Sequence, residues 1–479
     1  MKKDSTRLEL GYQVEGTQFL RARRAAALFD EQGLGKSKQV IDAIAQEIAA
    51  GDLGGVLVVC PNGLKSNWAK EVEKFSNLKY AVFGSGQSAR RIAFRSLRAA
   101  VYIINYEAVL AEMSSLRALL RFKSMAIVLD ESHRIKTPDA KITQAILALR
   151  ALAQRRYILS GTPVANRPED LWAQLLFLDD GEALGASFDR FRQLYRSGNV
   201  GYRNLGQLRD RVAGLSLRRT KANSLALPSK QYVRISVTLA GIQADMYEGM
   251  REELELWVKG MDGSDVLARG EAILARLVRL AQLASNPALL DASYSETPGK
   301  FQALDTLLAE YERVNPTQKV IVWTSFVGNI RALVNRYGRW NPVAIHGETS
   351  NEARDEAVRS FTDEAETRML VANPAAAREG LTLTKANVAI YLDRTFNLVD
   401  YLQSQDRIHR LSQTRACEIV ILVARDTVDE FIDFSIEQKH RLAQFAQNDT
   451  KTVDDDDLAL RKPALLRALL APGTSPVAK

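Results

Sequence analysis

Apolar residues in the first third of the chain recur in short runs, which alternate with stretches of helical periodicity. A run of about four to eight apolar residues is typical of a buried strand, whereas apolar positions three or four apart mark the buried face of a helix. The strand-like runs are 25–29, 55–60, 80–84, 101–106, 126–131 and 155–161. This alternation predicts a parallel sheet covered by helices on both faces.

A second series of strand-like runs follows later in the chain. Its members are 319–326, 342–347, 368–374, 388–393 and 418–424. A chain of 479 residues is too long for one hydrophobic core. The predicted fold class is therefore α/β, with two doubly wound parallel-sheet lobes.

The segment between the two series has a different pattern. Helical periodicity dominates it, as in AILARLVRLAQLA at 272–284, and KGMDGSDVL at 259–267 predicts a turn between helices. The acidic run at 454–457 is read as part of a solvated tail in preference to a metal site. The predicted organisation is a first lobe (1–184), a helical segment with the linker (185–290), a second lobe (291–436), and a C-terminal helix with a flexible tail (437–479).

Composition narrows the class of protein. The chain is 46% hydrophobic and 25% charged, which is ordinary for a globular protein. No apolar run is long enough to span a membrane and no signal peptide is evident, so a cytoplasmic location is expected. Cys60 and Cys417 lie in separate strand-like runs, and with only four histidines a structural zinc site is not expected. The net charge of +8 is compatible with a polyanionic partner but is mild for this length.

A phosphate-loop pattern lies between the first predicted strand and a predicted helix. Gly35, Lys36 and Ser37 match its end, but Asp30 occupies the position of its first glycine. Backbone N–H groups of Gly33 and Gly35 could face phosphates, Lys36 would reach the β- and γ-phosphates, and the Ser37 hydroxyl would hold Mg²⁺. The alternative is a glycine-rich turn leading into an ordinary helix.

A second candidate site is IVLDESHRIK at 127–136, where a strand ends in two carboxylates. Ligands of parallel sheets bind at the carboxyl edge, so Asp130 would orient Mg²⁺ and Glu131 would polarise an attacking water. The alternative is an acidic strand end followed by a helix cap. The phosphate loop about a hundred residues upstream favours the catalytic interpretation.

A third candidate is QSQDRIHRLSQT at 403–414. Arg407 and Arg410 are three residues apart on a predicted helix, so they would share one face. Arginines directed at a triphosphate from a separate lobe neutralise charge in the transition state. A surface arginine pair is the alternative, and it is favoured when this segment is taken alone.

Taken in order, the motifs from about residue 8 to 435 resemble those of the Swi/Snf-type DNA translocases of the second helicase superfamily. That family has Asp-Glu where other phosphate loops have the first glycine, so Asp30 marks a specialised loop. The matching segments are GYQVEG, DEQGLGKS, VCPNGLKSNWAKEVEKF, DESH, LSGTP, NRPEDLW, LRRTKANSLALPSK, REGLTLTKANVAIYLD and QDRIHRLSQ.

The resemblance implies two RecA-like lobes with helical protrusions, ATP and Mg²⁺ as cofactors, and movement along double-stranded DNA without strand separation. It assigns the adenine contact to Gln13. The other implied nucleotide contacts are Asp30, Gly33, Leu34, Gly35, Lys36, Ser37, Gly380 and Gln405. Implied contacts to the DNA backbone are Lys65, Asn67, Asn105, Tyr106, Asn166, Ser325, Gly347 and Thr382.

Finer expectations differ in what supports them. Arg378 and Glu379 in the fifth motif favour the fork-remodelling and annealing branch, and the compactness of the chain favours a bacterial or phage enzyme. The protein is expected to be a monomer. The alternative from another class is a motor subunit of a larger assembly, such as one that recycles RNA polymerase or a restriction or defence complex. A strand-separating helicase is a third possibility.

Overall fold

Two units make up the part of the chain that the structure describes. The structure is a computed structural model and describes residues 10–84, 98–197, 201–259, 261, 269–376 and 381–449. Unit 1 contains the described residues up to Ala226 and those from Arg441 onward, and unit 2 contains Leu227–His440. Each unit is built on a parallel β-sheet, which confirms the predicted fold class.

Unit 1 has a seven-stranded sheet of order β3-β4-β2-β5-β6-β1-β9, and β7 pairs with β8 in a separate antiparallel ribbon. The strands are β1 (Ala25–Leu28), β2 (Gly55–Cys60), β3 (Tyr80–Val82), β4 (Val101–Asn105), β5 (Met125–Asp130), β6 (Arg155–Leu159), β7 (Arg196–Ser197), β8 (Gly201–Tyr202) and β9 (Ser216–Leu217). All pairings in the larger sheet are parallel.

The helices of unit 1 cover both faces of this sheet. They are α1 (Gly11–Arg21), α2 (Lys36–Ala50), α3 (Lys65–Phe75), α4 (Tyr106–Ala111), α5 (Met113–Phe122), α6 (Lys141–Leu147), α7 (Trp172–Asp179), α8 (Phe188–Tyr195), α9 (Leu205–Leu215) and α10 (Lys221–Ser224). Short 3₁₀ turns lie at Asn62–Leu64, Ser132–Ile135, Arg150–Leu152 and Pro168–Leu171. Helices α1, α2 and α3 pack on the face that carries Leu28 and Val58.

Unit 2 has a six-stranded parallel sheet of order β10-β15-β14-β11-β13-β12. The strands are β10 (Lys230–Val237), β11 (Val320–Trp323), β12 (Val343–Ile345), β13 (Met369–Ala372), β14 (Val388–Tyr391) and β15 (Cys417–Ala424). Ile321 and Trp323 of β11 lie in one core cluster, and Val320 and Val322 lie in another. Both faces of this sheet are therefore covered.

The helices of unit 2 begin with the long pair predicted between the two strand series. They are α11 (Gly241–Lys259), α12 (Gly270–Ser285), α13 (Gly299–Val314), α14 (Val327–Arg336), α15 (Asn351–Asp363), α16 (Leu398–Gln405) and α17 (Val428–Ala446), with 3₁₀ turns at Pro287–Leu289 and Gly338–Trp340. The last residues of α17 are grouped with unit 1.

Each strand predicted from the sequence has a counterpart, but the sequence pattern did not reveal β7, β8, β9 and β10, of which β9 and β10 belong to the two large sheets. Both lie inside the segment 185–290, and they pair with β1 and β15 respectively. Strand β10 is an edge strand in which several side chains are exposed, so its apolar signal is weak. Most of the predicted turn at 259–267 and the acidic run at 454–457 lie outside the described residues.

Candidate functional site

The predicted phosphate loop connects β1 to the N-terminus of α2. Gly33 and Gly35 have φ angles of +89° and +75°, a region that residues with a Cβ atom rarely adopt. Helix α2 begins at Lys36 and is fifteen residues long, and it follows the loop directly. A helix N-terminus reached through a glycine loop presents backbone N–H groups and a positive dipole end to an anion.

Lys36 lies against the loop that it follows. Its Nζ atom donates to the carbonyl oxygen of Asp30 at 2.8 Å and lies 3.5 Å from that of Glu31. Burial lowers the pKa of the Lys36 ammonium, and the nearby carboxylates of Glu131, Asp30 and Asp130 oppose this effect. The ammonium therefore lies where the loop and the two carboxylates at the end of β5 converge.

Asp30, predicted as a nucleotide contact, is fully buried and does not face an open surface. Arg219 donates to both of its carboxylate oxygens, from Nε at 3.0 Å and from Nη2 at 2.6 Å. Gln39 Nε2 donates to the same carboxylate at 3.2 Å. In the structure, Asp30 therefore stabilises the loop from inside, through its hydrogen bonds with Arg219 and Gln39.

Gln13, the predicted adenine-reading residue, is buried beside the loop. Its Nε2 atom donates to the Leu34 carbonyl at 3.3 Å. A Cβ atom on Gly35 would come within 2.5 Å of the same nitrogen, so any larger residue would have to displace the Gln13 amide, and the φ angle of +75° also favours glycine. The structure therefore brings together Gln13, Leu34 and Gly35.

Asp130 ends β5 and is only 9% exposed. Trp68 Nε1 donates to Asp130 Oδ2 at 2.8 Å, and the Tyr106 hydroxyl donates to the Asp130 carbonyl at 2.8 Å. Burial first, and then the adjacent charge of Glu131, raises the pKa of Asp130 to about 7, against the lowering effects of the Trp68 hydrogen bond and Lys36. A nearby cation would stabilise the ionised form of this buried carboxyl.

Glu131 follows Asp130 with a φ angle of +51°, an uncommon conformation for a residue other than glycine. Gln32 of the loop donates from Nε2 to Glu131 Oε1 at 3.1 Å, and His133 Nδ1 lies 3.3 Å from Glu131 Oε2. His133 in turn lies 3.5 Å from the Ser160 hydroxyl. The loop, the carboxylates and the segment after β6 are thus in contact at one sheet edge.

The segment after β6 is held to the DESH segment by a buried glutamine. The Ser132 hydroxyl donates to Gln174 Oε1 at 2.6 Å, and Gln174 Nε2 donates to the carbonyls of Pro163 and Asp170. The Asp170 carboxylate accepts from the backbone N–H of Asn166 at 2.7 Å. Asn166 therefore lies in a turn whose shape Asp170 fixes.

The predicted DNA contacts of unit 1 differ in exposure. Lys65, Asn67 and Asn105 are partly exposed; Lys65 donates to the Phe83 carbonyl at 2.8 Å, and the two asparagines donate to Glu71 and Glu107. Tyr106 is only 1% exposed. Its hydroxyl donates to the Asp130 carbonyl, so Tyr106 supports the end of β5. Its buried side chain has no exposed surface for a DNA phosphate.

Arg407 and Arg410 do not lie on a helix, which corrects the sequence-based prediction. Helix α16 ends at Gln405, and the next residues form a tight turn in which the Arg407 N–H bonds to the Ser404 carbonyl. The Arg407 carbonyl then accepts from Leu383, so the chain is diverted toward that segment. Arg410 Nη1 donates to the Thr382 hydroxyl at 2.9 Å, which brings two predicted site residues together.

The other predicted residues of unit 2 that the structure describes lie in separate elements. Gln405 is buried, its Oε1 accepts from the Tyr232 hydroxyl at 2.9 Å, and its Nε2 has no partner among the described residues. The Ser325 N–H donates to Asp393 Oδ1 at 2.6 Å. Gly347 is exposed just after β12. Gly380 lies outside the described residues.

Several residues that contact the site were not predicted from the sequence. They are Gln32, Trp68, Gln174 and Arg219, as given above. Arg219 had a signal, because LRRTK was assigned to the family's inter-lobe signature, but nothing in that signature pointed to the loop. Within the described residues, no group of three His, Cys, Asp or Glu side chains could hold a metal, and no helix is long and apolar enough to cross a membrane.

The motifs described above lie within two known sequence families. The SNF2-related domain matches residues 12–289, and the Helicase conserved C-terminal domain matches residues 299–412. The chain belongs to the SNF2-related family. Its match covers the phosphate loop, both carboxylates and Arg219, and the second domain covers Arg407 and Arg410.

Individual SNF2-related proteins resemble the chain at a similar level. Chromodomain-helicase-DNA-binding protein 1-like of Danio rerio is 25% identical over 90% of this chain and 43% of its own length. The ISWI chromatin-remodeling complex ATPase ISW1 of Saccharomyces cerevisiae is 26% identical over 95% and 42%, and the ATP-dependent helicase MG018 of Mycoplasma genitalium is 26% identical over 90% and 42%. The chain thus spans less than half the length of these relatives.

A solved structure also aligns with the chain. The SWI2/SNF2 ATPase core of Sulfolobus solfataricus in complex with dsDNA is 26% identical, covers 96% of each chain and has a TM-score of 0.43.

Proposed function

We propose that the chain is an ATP-driven motor that moves along double-stranded DNA without separating its strands. The observation that carries this proposal is that the loop beside Lys36 contacts the carboxylates at the end of β5, through the 3.1 Å hydrogen bond from Gln32 to Glu131, at the carboxyl edge of one sheet in an SNF2-related chain. That edge is where parallel α/β sheets bind their ligands. The names of the relatives, which describe ATP-dependent helicases and remodelling ATPases, support the same chemistry.

The residues of the loop fit a nucleoside triphosphate. A Cβ atom on Gly33 would meet only Lys221 Cε, at 3.5 Å, so the glycine is needed there for its φ angle of +89° and the loop is open beside it. The N-terminus of α2 would bind the phosphates through backbone N–H groups, and Lys36 would add a full positive charge. Gln13 would read the base from its place beside Leu34.

The residues present also fit Mg²⁺. Magnesium bound with nucleotides usually has one or two protein oxygens, with phosphates and water as its other ligands. The Ser37 hydroxyl and the Asp130 carboxylate would supply these oxygens. When bound, the ion would neutralise phosphate charge. The raised pKa of Asp130 supports this assignment. Burial disfavours the ionised carboxylate, and a bound divalent cation would stabilise it.

The remaining roles belong to Glu131 and the two arginines. Glu131, held by Gln32, would orient the attacking water. Arg407 and Arg410 would stabilise the charge that develops on the transferred phosphoryl group. Gln405, whose amide nitrogen has no partner among the described residues, would donate to the nucleotide.

The proposed grip on DNA consists of side chains and backbone groups that bind phosphates irrespective of sequence. In unit 1 the candidates are Lys65, Asn67, Asn105 and Asn166. In unit 2 they are Ser325, Gly347 and Thr382. The hydrogen bond between Thr382 and Arg410 supports coupling of DNA binding to hydrolysis, because the same contact involves a DNA candidate and a catalytic candidate.

The biological use of such a motor would be to remodel forks, anneal strands or displace bound proteins. The test measures ATP hydrolysis by the purified chain with duplex DNA, single-stranded DNA and RNA, at increasing salt. We expect stimulation by duplex that falls steeply with salt and depends little on sequence. We also expect displacement of a triplex-forming strand without unwinding of a forked duplex. Glu131→Gln is the control, and stimulation by RNA alone would contradict the proposal.

A further inference from the structure

Arg219 occupies a position that the phosphate-loop chemistry does not by itself require. We infer that it is a positioning residue of the nucleotide site, which holds the Asp-type loop and the helix that carries Gln13 in one arrangement. The inference rests on the ATP site proposed above and assigns the support of that site to a residue 189 positions beyond Asp30.

The contact between Arg219 and Asp30 has the geometry of a strong ion pair. The guanidinium donates two hydrogen bonds to the carboxylate, at 3.0 and 2.6 Å, and Asp30 is fully buried. A bidentate arginine–carboxylate pair fixes relative orientation as well as distance. Removing one partner of a buried ion pair strongly destabilises the fold, because the remaining charge is left buried without compensation, so the buried Asp30 carboxylate depends on Arg219.

The same guanidinium reaches the two helices beside the loop. Nη2 donates to Gln39 Oε1 on α2 at 2.7 Å, and Nη1 donates to the Tyr12 carbonyl on α1. Gln39 and Gln13 both donate to the Leu34 carbonyl of the loop, each at 3.3 Å. Arg219 therefore connects α1, the loop and α2 through one buried polar network.

The backbone around Arg219 is fixed relative to the loop. The Phe29 N–H donates to the Leu217 carbonyl, and the Glu31 N–H donates to the Arg219 carbonyl, both at 2.9 Å. The Lys221 N–H donates to the Glu31 carboxylate at 2.8 Å. Because the backbone is paired on both sides of Asp30, the Arg219 side chain enters the network from a fixed point.

A phosphate loop with glycine at the position of Asp30 has no side chain there for such a contact. In this chain the position of the loop depends on the Arg219 network, and so does the position of Gln13. Loss of Arg219 should therefore weaken nucleotide affinity and base preference together. Lys36 and Glu131 remain in place, so turnover at saturating ATP should change less.

The experiment compares Arg219→Gln and Arg219→Lys with the parent chain. The readouts are binding of a fluorescent ATP analogue, its displacement by ATP and by GTP, and the kcat and KM of hydrolysis. Arg150→Gln is the matched control, because Arg150 pairs with Asp180 at 2.8 Å in the same unit but at the surface. Removing a residue that orients the contacting side chains of a site typically costs about 10- to 100-fold in affinity or activity. We expect such a loss in affinity for Arg219→Gln, a smaller ATP-to-GTP preference, and poor rescue by lysine, which lacks the planar fork.

Unchanged affinity and base preference in a folded Arg219→Gln chain would overturn the inference while leaving the ATP site intact. Failure of the parent chain to bind the analogue would overturn the ATP site and the inference together. If Arg219→Gln does not fold, the double variant Asp30→Asn/Arg219→Gln replaces it, because it leaves no unpaired charge. The inference predicts weak binding by the folded double variant, and parental binding by that variant would refute it.

Discussion

Gln32 and Glu131 are joined by a hydrogen bond of 3.1 Å between the loop's amide nitrogen and a carboxylate oxygen at the end of β5. The other oxygen of Glu131 lies 3.3 Å from His133. Gln32 thus fixes one oxygen of the carboxylate and His133 lies beside the other, on a residue with a left-handed backbone conformation. This places a candidate water-orienting group beside the loop that would bind the phosphates.

Glu131→Gln should bind ATP and duplex DNA with parental affinity while nearly abolishing turnover, because only the group that orients water is lost. Gln32→Ala should lower kcat by a smaller factor, since the carboxylate remains but is less well positioned. Single-turnover hydrolysis and equilibrium binding of a fluorescent ATP analogue separate the two effects. Parental turnover in Glu131→Gln would mean that another residue acts as the base.

Asp130→Asn should change how stability depends on pH in chelator-treated protein. The carboxyl titrates near pH 4 in the unfolded chain and near pH 7 in the folded chain, so between these values the unfolded state has lost a proton that the folded state retains. The parent should therefore lose stability relative to the asparagine variant as pH rises from 4 to 7, by at most about 4 kcal/mol. Urea unfolding at pH 5 and pH 8 measures the difference, which should not change with pH if the carboxyl is unperturbed.

Gly16→Ala should destabilise the chain and weaken nucleotide binding. An added Cβ atom would lie 1.7 Å from Gln39 Oε1 and 2.7 Å from Arg219 Nη2, so the network that holds Asp30 would have to move. A loss of about 1–3 kcal/mol in unfolding free energy is expected from such overpacking. Gly11→Ala on the same helix is the control, because nothing lies within 4 Å of the added atom. Similar melting temperatures for the two variants would show that the network yields easily.

Arg410→Ala should leave nucleotide affinity and the melting temperature nearly unchanged and remove DNA-stimulated hydrolysis. A catalytic arginine acts mainly in the transition state, where it contributes on the order of 10³-fold in rate. Thr382→Val tests the coupling contact, because it deletes the hydroxyl that accepts from Arg410 but keeps the guanidinium. We expect it to reduce stimulation by DNA and to leave basal hydrolysis intact. Steady-state hydrolysis with saturating duplex checks both, and parental rates in Arg410→Ala would contradict the assigned role.

The sequence was sufficient to predict both sheets because buried parallel strands are nearly continuous apolar runs. The apolar pattern does not reveal β9, because it has only two residues, or β10, because it is a partly exposed edge strand. The prediction that Arg407 and Arg410 lie on a helix is wrong, because the spacing of two arginines does not show where a helix ends. Gln405 and Asp406 give no glycine or proline signal for the turn that follows them.

The catalytic candidates were predicted from short motifs, whereas their support could not be. Trp68 lies 62 residues from Asp130, and Arg219 lies 189 residues from Asp30, so each contact exists only in the folded chain. Tyr106 shows the same limit, since its motif suggests a DNA contact while its hydroxyl is used within the core. Motif spacing therefore identifies catalytic side chains that one local segment presents. The residues that support those side chains depend on tertiary contacts.

Strand β10 pairs with β15 in parallel over eight positions, from Lys230↔Cys417 to Val237↔Ala424. On the ribosome, the first of these strands leaves the exit tunnel long before its partner has been translated. Closing so large a loop carries a high entropic cost, and parallel pairing between distant strands is slow. Unit 2 should therefore remain an incomplete intermediate during most of its synthesis, with β15 as the segment whose arrival permits the final cooperative collapse.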